Sequence, residues 1–168
     1  MNYRTRTYVA GDWSNDKDAI DQLTKWNESD HWSLSFSDAH EYTQARDSSL
    51  NCSIKHSLKA RLDISKTFVL IVGNTTNNVR AGSCQFCDNY NSIFELCKKG
   101  HSVDFRSYIK FECEEAVKAD MKIVVLYNSA KVEKNKCPDT VRNLGTHVAM
   151  KDKLGIWNYN AVKEALEN

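Results

Sequence analysis

Two groups of side chains in this sequence have the types and spacing to do chemistry. The first is Cys84-x2-Cys87-x9-Cys97-x3-His101, which offers thiolate and imidazole donors at the close intervals of a tetrahedral zinc site. Cys84 and Cys87 are its stronger half, and Cys113 can replace His101 as the fourth ligand. Four protein ligands leave no open position for water, so a zinc here would be structural. Free thiols packed under a loop are the alternative. The second group is the acidic run Glu112, Glu114 and Glu115, with Tyr108 one helical turn before Glu112. Taken alone, such a run reads as a solvated helix face.

The elements that must position these groups follow from periodicity. Residues 5–10 (TRTYVA) are β-rich and are broken by Gly11 and Asp12. Ser14, Asn15 and Asp16 offer helix caps, and Ala19/Ile20, Leu23 and Trp26 recur at helical spacing. Residues 32–36 (WSLSF) alternate as a half-buried strand does, and 38–47 (DAHEYTQARD) read as a long loop. Leu50, Ile54, Leu58 and Leu62 predict a helix capped by Ser48 or Ser49. Residues 68–72 (FVLIV) and 123–127 (IVVLY) are continuous apolar runs, as strands buried on both faces are.

Between them, 73–104 is polar, holds three cysteines and is too long for an ordinary connection, so it is expected to be a functional or metal-organised insertion. Ile109, Cys113, Ala116 and Val117 give a third helical stripe. Residues 146–150 (THVAM) allow a short last strand. Tyr159, Val162 and Leu166 mark a closing helix capped by Asn158. Strand and helix alternate throughout, which predicts an α/β domain: an open parallel sheet flanked by helices on both faces, with a cysteine-rich insertion before the third main helix. No linker or repeat divides residues 1–168, so a single domain is expected.

Composition narrows the partners. Lys and Arg number 23 against 22 Asp and Glu, a net charge of +1, so no basic surface argues for nucleic acid. The first six residues lack a secretory apolar core, and neither apolar run could span a membrane, so no membrane association is expected. The 6 cysteines then fit a reducing, cytoplasmic location, with Cys52 and Cys137 as core or surface thiols. Ligands of open α/β sheets gather at the carboxyl ends of the strands. Neither G-x-G-x-x-G nor G-x-x-x-x-G-K-[ST] is present, so the usual phosphate cradles are missing. A response-regulator receiver needs an aspartate after its third strand, where this chain has Gly73 and Asn74.

The strand YVAGD, the loop SDAHEYTQARDSS, the helix SIKHSLKARL, the strand TFVLIVG and the stretch RSYIKFECEEAVKADMKIVVLYNS together resemble the TIR-like family, including bacterial Thoeris antiphage-defence proteins. The resemblance spans roughly residues 4–129, while the last 40 or so match only loosely and the cysteine insertion is not a family feature. It implies a flavodoxin-like/TIR-like fold and an enzyme that cleaves NAD to nicotinamide and a cyclic ADP-ribose isomer or related ADP-ribose product. That diffusible product would activate a separate effector. In the family pattern a glutamate follows an aromatic or small residue on the third helix. Here that is Phe111-Glu112-Cys113, which makes Glu112 the expected catalytic residue, with Tyr108 beside the ligand.

Breaking the nicotinamide–ribose bond builds oxocarbenium-like charge, which a fixed carboxylate stabilises in a water-poor cleft. Nicotinamide leaves from a cationic ring, so no general acid is required. Glu115, if buried with Glu112, would raise its pKa as a like charge. Asp12 and Trp13 end the first strand, where they can meet adenosine or ribose. Asp38, His40 and Arg46 fall on the loop that TIR domains use for gating and subunit contact. Arg46 suits a pyrophosphate but equally a staple to Asp38 or Asp47, and His40 reads first as a surface histidine. Self-association when active and a phage-derived activator are further expectations of the resemblance. A non-catalytic interaction module is the competing reading.

Overall fold

The two continuous apolar runs become the two central strands, because only there are both faces of a strand covered. The computed structural model describes residues 4–32, 34, 36–37 and 50–168. In chain order the elements are β1 (Arg6–Ala10), α1 (Lys17–Glu28), α2 (Asn51–Asp63), β2 (Ser65–Val72), β3 (Tyr90–Asn91), β4 (Leu96–Cys97), α3 (Tyr108–Lys118), β5 (Lys122–Tyr127), β6 (Thr146–Ala149) and α4 (Tyr159–Glu167). Four strands form one parallel sheet in the order β1-β2-β5-β6, while β3 and β4 make a small antiparallel hairpin inside the insertion.

Alternation along the strands sorts the apolar residues into two cores. Tyr8, Phe68, Leu70, Val125 and Tyr127 face Leu58 and Leu62 of α2 and Ile109, Cys113 and Ala116 of α3. Val9, Val69, Ile71, Val124 and Leu126 face Ala19, Ile20, Leu23 and Trp26 of α1 and Val162 and Ala165 of α4. Helices therefore cover both faces, as the alternation of elements predicts. Asn158 caps α4 through a bond from the Ala161 amide, also as expected. Among the described residues no helix is long and apolar enough to cross a membrane.

Two local expectations change. The strand expected over 32–36 is not formed at its described residues: Trp32 lies in a turn, and Leu34 and Phe36 belong to no strand. The cause is visible at Asn27, whose side chain clasps both backbone groups of Phe36 at 2.9 and 3.1 Å in place of a ladder. Leu34 and Phe36 still pack into the second core, and the Ser37 carbonyl accepts the Thr7 amide at 2.8 Å. On α3, Val117 points outward instead of completing the stripe.

The insertion is ordered by polar contacts. The Ser83 side chain caps the turn Cys84–Phe86, and Cys84 exchanges bonds with Asp104. Buried Lys55 of α2 reaches in to pair with Asp104 at 3.3 Å and to donate to the Arg106 carbonyl at 2.6 Å. Gly82, at φ +97°, lets the insertion pass over the first turn of α3, where a Cβ would lie 2.7 Å from the Tyr108 nitrogen.

Candidate functional site around helix α3

Ser107 caps α3 by accepting the Lys110 amide, and the helix then presents two useful rows. Tyr108, Glu112 and Glu115, at intervals of four and three residues, lean toward α2 and β1. Glu112 is 6% exposed and accepts the Tyr8 hydroxyl, a group wholly inside the core. The Tyr8 backbone lies two residues, roughly 7 Å, inside the carboxyl end of β1. Tyr8 was not singled out in the sequence; its place on the same strand face as Ala10 is the only signal that could have found it.

The neighbouring charges are spoken for. Glu115, also buried, is ringed by Lys118 at 2.9 Å, Arg106 at 3.5 Å and Lys59 of α2 at 3.7 Å. Burial alone would raise its pKa, but these cations outweigh it and hold the carboxyl low. It therefore stays ionised, a like charge one turn from Glu112 that is compensated by its own cations. Glu114 pairs with Arg106 at 2.9 Å. Tyr108 is half-buried and donates to Asn51 of α2 at 3.0 Å. Burial, with the nearby thiols, pushes its phenol up to about 12, so it is a positioned neutral donor.

At the carboxyl edge proper, Asp12 accepts from the backbone of Ser14 and from the side chains of Asn15 and Thr75, tying the ends of β1 and β2. Burial opposes its charge, but these donors win and its pKa is lowered. Trp13 beside it is half exposed. Asp16 and Asn128 complete this edge. Asn128 donates to Asp16 at 3.0 Å and to Asp18 at 2.9 Å, while Asp16 Oδ2 and Asn128 Oδ1 are buried without a hydrogen-bond partner. Burial raises the Asp16 pKa, the Asn128 amide counteracts it, and Asp12 and Asp18 add to it. Gly73 is required here, because a Cβ would fall 1.9 Å from Asp16 Oδ1. Asp38, His40 and Arg46 lie outside the described residues.

The cysteines are not gathered into a metal site. Among the described residues no group of three or more His, Cys, Asp or Glu side chains is placed to hold a metal ion, so Cys84, Cys87, Cys97 and His101 do not converge. Cys84 Sγ instead accepts the Asp104 amide at 3.3 Å, Cys97 pairs with Tyr90 in the hairpin and His101 is exposed. Cys113, the alternative ligand, is sealed in the first core, where burial and then the Glu112 charge push its thiol well up.

On the other side of α3, Ser107, Lys110 and Glu114 line a cleft of about 1100 Å³ closed by the insertion and by residues 138–142. Neither Glu112 nor Tyr8 lines it.

A parallel sheet with helices on both faces, a buried carboxylate on its third helix and polar loops at its carboxyl edge define an open α/β domain. Residues 8–81 match the family model described as Thoeris protein ThsB, TIR-like domain. This similarity to a Thoeris TIR-like domain covers under half of the 168 residues. The match runs from β1 into the insertion and stops before α3. No curated protein matches the chain.

Proposed function

We propose that this protein consumes NAD, cleaving the nicotinamide–ribose bond with Glu112 as the charge-stabilising group. The observation that carries the reading is the burial of Glu112 beside the Tyr8 hydroxyl, which holds a carboxylate in one orientation and away from bulk water. In such surroundings a fixed charge is worth far more to a developing cation than in water.

The C–N bond breaks toward nicotinamide, which leaves neutral, and positive charge spreads over the ribose C1 and ring oxygen. The Glu112 carboxylate stabilises that charge. A hydroxyl of the same ADP-ribose, or water, then attacks C1 and loses its proton, giving a cyclic isomer or free ADP-ribose. The product serves as a diffusible signal to a separate effector, and a phage-derived trigger and self-association switch the enzyme on.

The competing reading is an interaction module in which Tyr8–Glu112 is a core hydrogen bond and nothing more; the same burial favours it. Nicotinamide release from NAD separates the two. Wild-type protein, alone and in infected-cell extract, is expected to release it, with Glu112→Gln folded but slower by about 100-fold or more. Full activity in the variant, or none in wild type under either condition, sinks the enzyme reading.

A further inference from the structure

We propose a second ligand site, separate from Glu112: the cleft on the far side of α3 binds a phosphorylated small molecule of nucleotide size. Its volume of about 1100 Å³ suits such a ligand and is bounded by three segments distant in sequence, 76–86, 105–114 and 138–142. Two of its cations, Arg80 and Lys110, have no acidic partner among the described residues, although almost every other charge around α3 is paired. The third, Arg142, is occupied by Asp139 at 2.5 Å and by the Cys137 carbonyl.

Unanswered cations in a concave site call for a compact anion, and a guanidinium and an ammonium lining one cleft each suit phosphate oxygens. Phe86 and Phe105 on the rim are 62% and 55% exposed, Phe105 already meeting Tyr90 edge-on at 5.5 Å, so aromatic surface is available to a planar base. Gln85 supplies an amide for ribose or base edges, while the Asn77 nitrogen already donates to the Asn135 and Cys137 carbonyls and leaves its oxygen as an acceptor.

The net charge of +1 and the presence, among the described residues, of only two unpaired cations lining the cleft disfavour a long polyanion such as RNA, and the concavity disfavours a protein surface. Lys110 and Glu114 face this cleft while Glu112 faces α2, so one helix separates the two sites. The proposal stands on this geometry whether or not Glu112 cleaves NAD.

Titration calorimetry of the full chain with ADP, and separately with inorganic pyrophosphate and with a short single-stranded RNA, tests it. ADP is expected to bind more tightly than pyrophosphate. Arg80→Gln combined with Lys110→Gln should weaken ADP by about tenfold or more, and Phe86→Ala should remove the advantage of ADP over pyrophosphate. Glu112→Gln should leave ADP affinity unchanged. No ADP binding at millimolar concentration, binding indifferent to the paired cation variant, loss on Glu112→Gln, or tighter binding of RNA than of ADP would each overturn the proposal.

Discussion

Helix α3 has two sides that share a sequence and differ in nearly everything else. Toward α2 and β1, Glu112 is bonded to Tyr8, Tyr108 to Asn51, and Glu115 to three cations, with both carboxylates buried. Toward residues 138–142, Lys110 and Arg80 stand over an open cleft with two exposed phenylalanines at its rim. A charge removed from water needs fixed partners, whereas one left in solvent needs none, so the two sides obey different rules of replacement. The closed side should register substitutions as stability; the open side should register them only as ligand affinity.

The most severe way to break that contrast is Glu112→Ala. It takes an acceptor from a hydroxyl that is wholly buried and leaves a void beside the core of α2 and α3. The expected loss is about 3 kcal/mol in urea unfolding, the sum of an unmade buried hydrogen bond and a small cavity. Glu112→Gln keeps an acceptor oxygen and the side-chain volume, and should lose about 1 kcal/mol. A loss under 1 kcal/mol for the alanine variant would mean the closed side is not held together through this residue.

Acid sharpens the contrast at a smaller scale. Burial alone would raise the Asp104 pKa, but bonds from Arg106 and the charge of Lys55 hold it down from 3.8 to about 2. A depressed carboxyl gives stability that is complete above its unfolded value and is lost as pH falls through its folded one. The protein should therefore lose stability between about pH 4 and pH 2, on the order of 1 kcal/mol from this group after allowing for its partial exposure. Asp104→Asn should flatten that part of the pH–stability curve measured by thermal unfolding. An unchanged slope would separate the network from stability.

How far the sequence announced these two sides depends on the distance over which each contact acts. FVLIV and IVVLY were legible as central strands because burial on both faces needs no information beyond the run itself. The helical stripes and the Asn158 cap were legible for the same local reason. Glu112 was legible as a position on the third helix through family resemblance, but its partner Tyr8 lies 104 residues away across two crossovers. Asp16 and Asn128, 112 residues apart, were equally hidden, and their unpaired oxygens cannot be foreseen from residue type. The cysteine spacing invited a metal, yet Lys55, on a different helix, is what reaches in to fasten the insertion. Strand loss at Phe36 turned on one asparagine side chain competing with a backbone ladder.

The smallest expected effect is also the most discriminating. Arg80 and Lys110 are exposed and have no ionic partner among the described residues, so replacing either by Gln forfeits no pairing energy and buries nothing. Each variant should unfold within about 0.5 kcal/mol of wild type by urea denaturation, the range of ordinary surface changes. Slight stabilisation would fit equally, since two like charges near one cleft repel when no ligand lies between them. A loss above about 1 kcal/mol in either would show that these cations brace the insertion against α3. The open side would then be a second structural seam, and the distinction between the two faces of the helix would disappear.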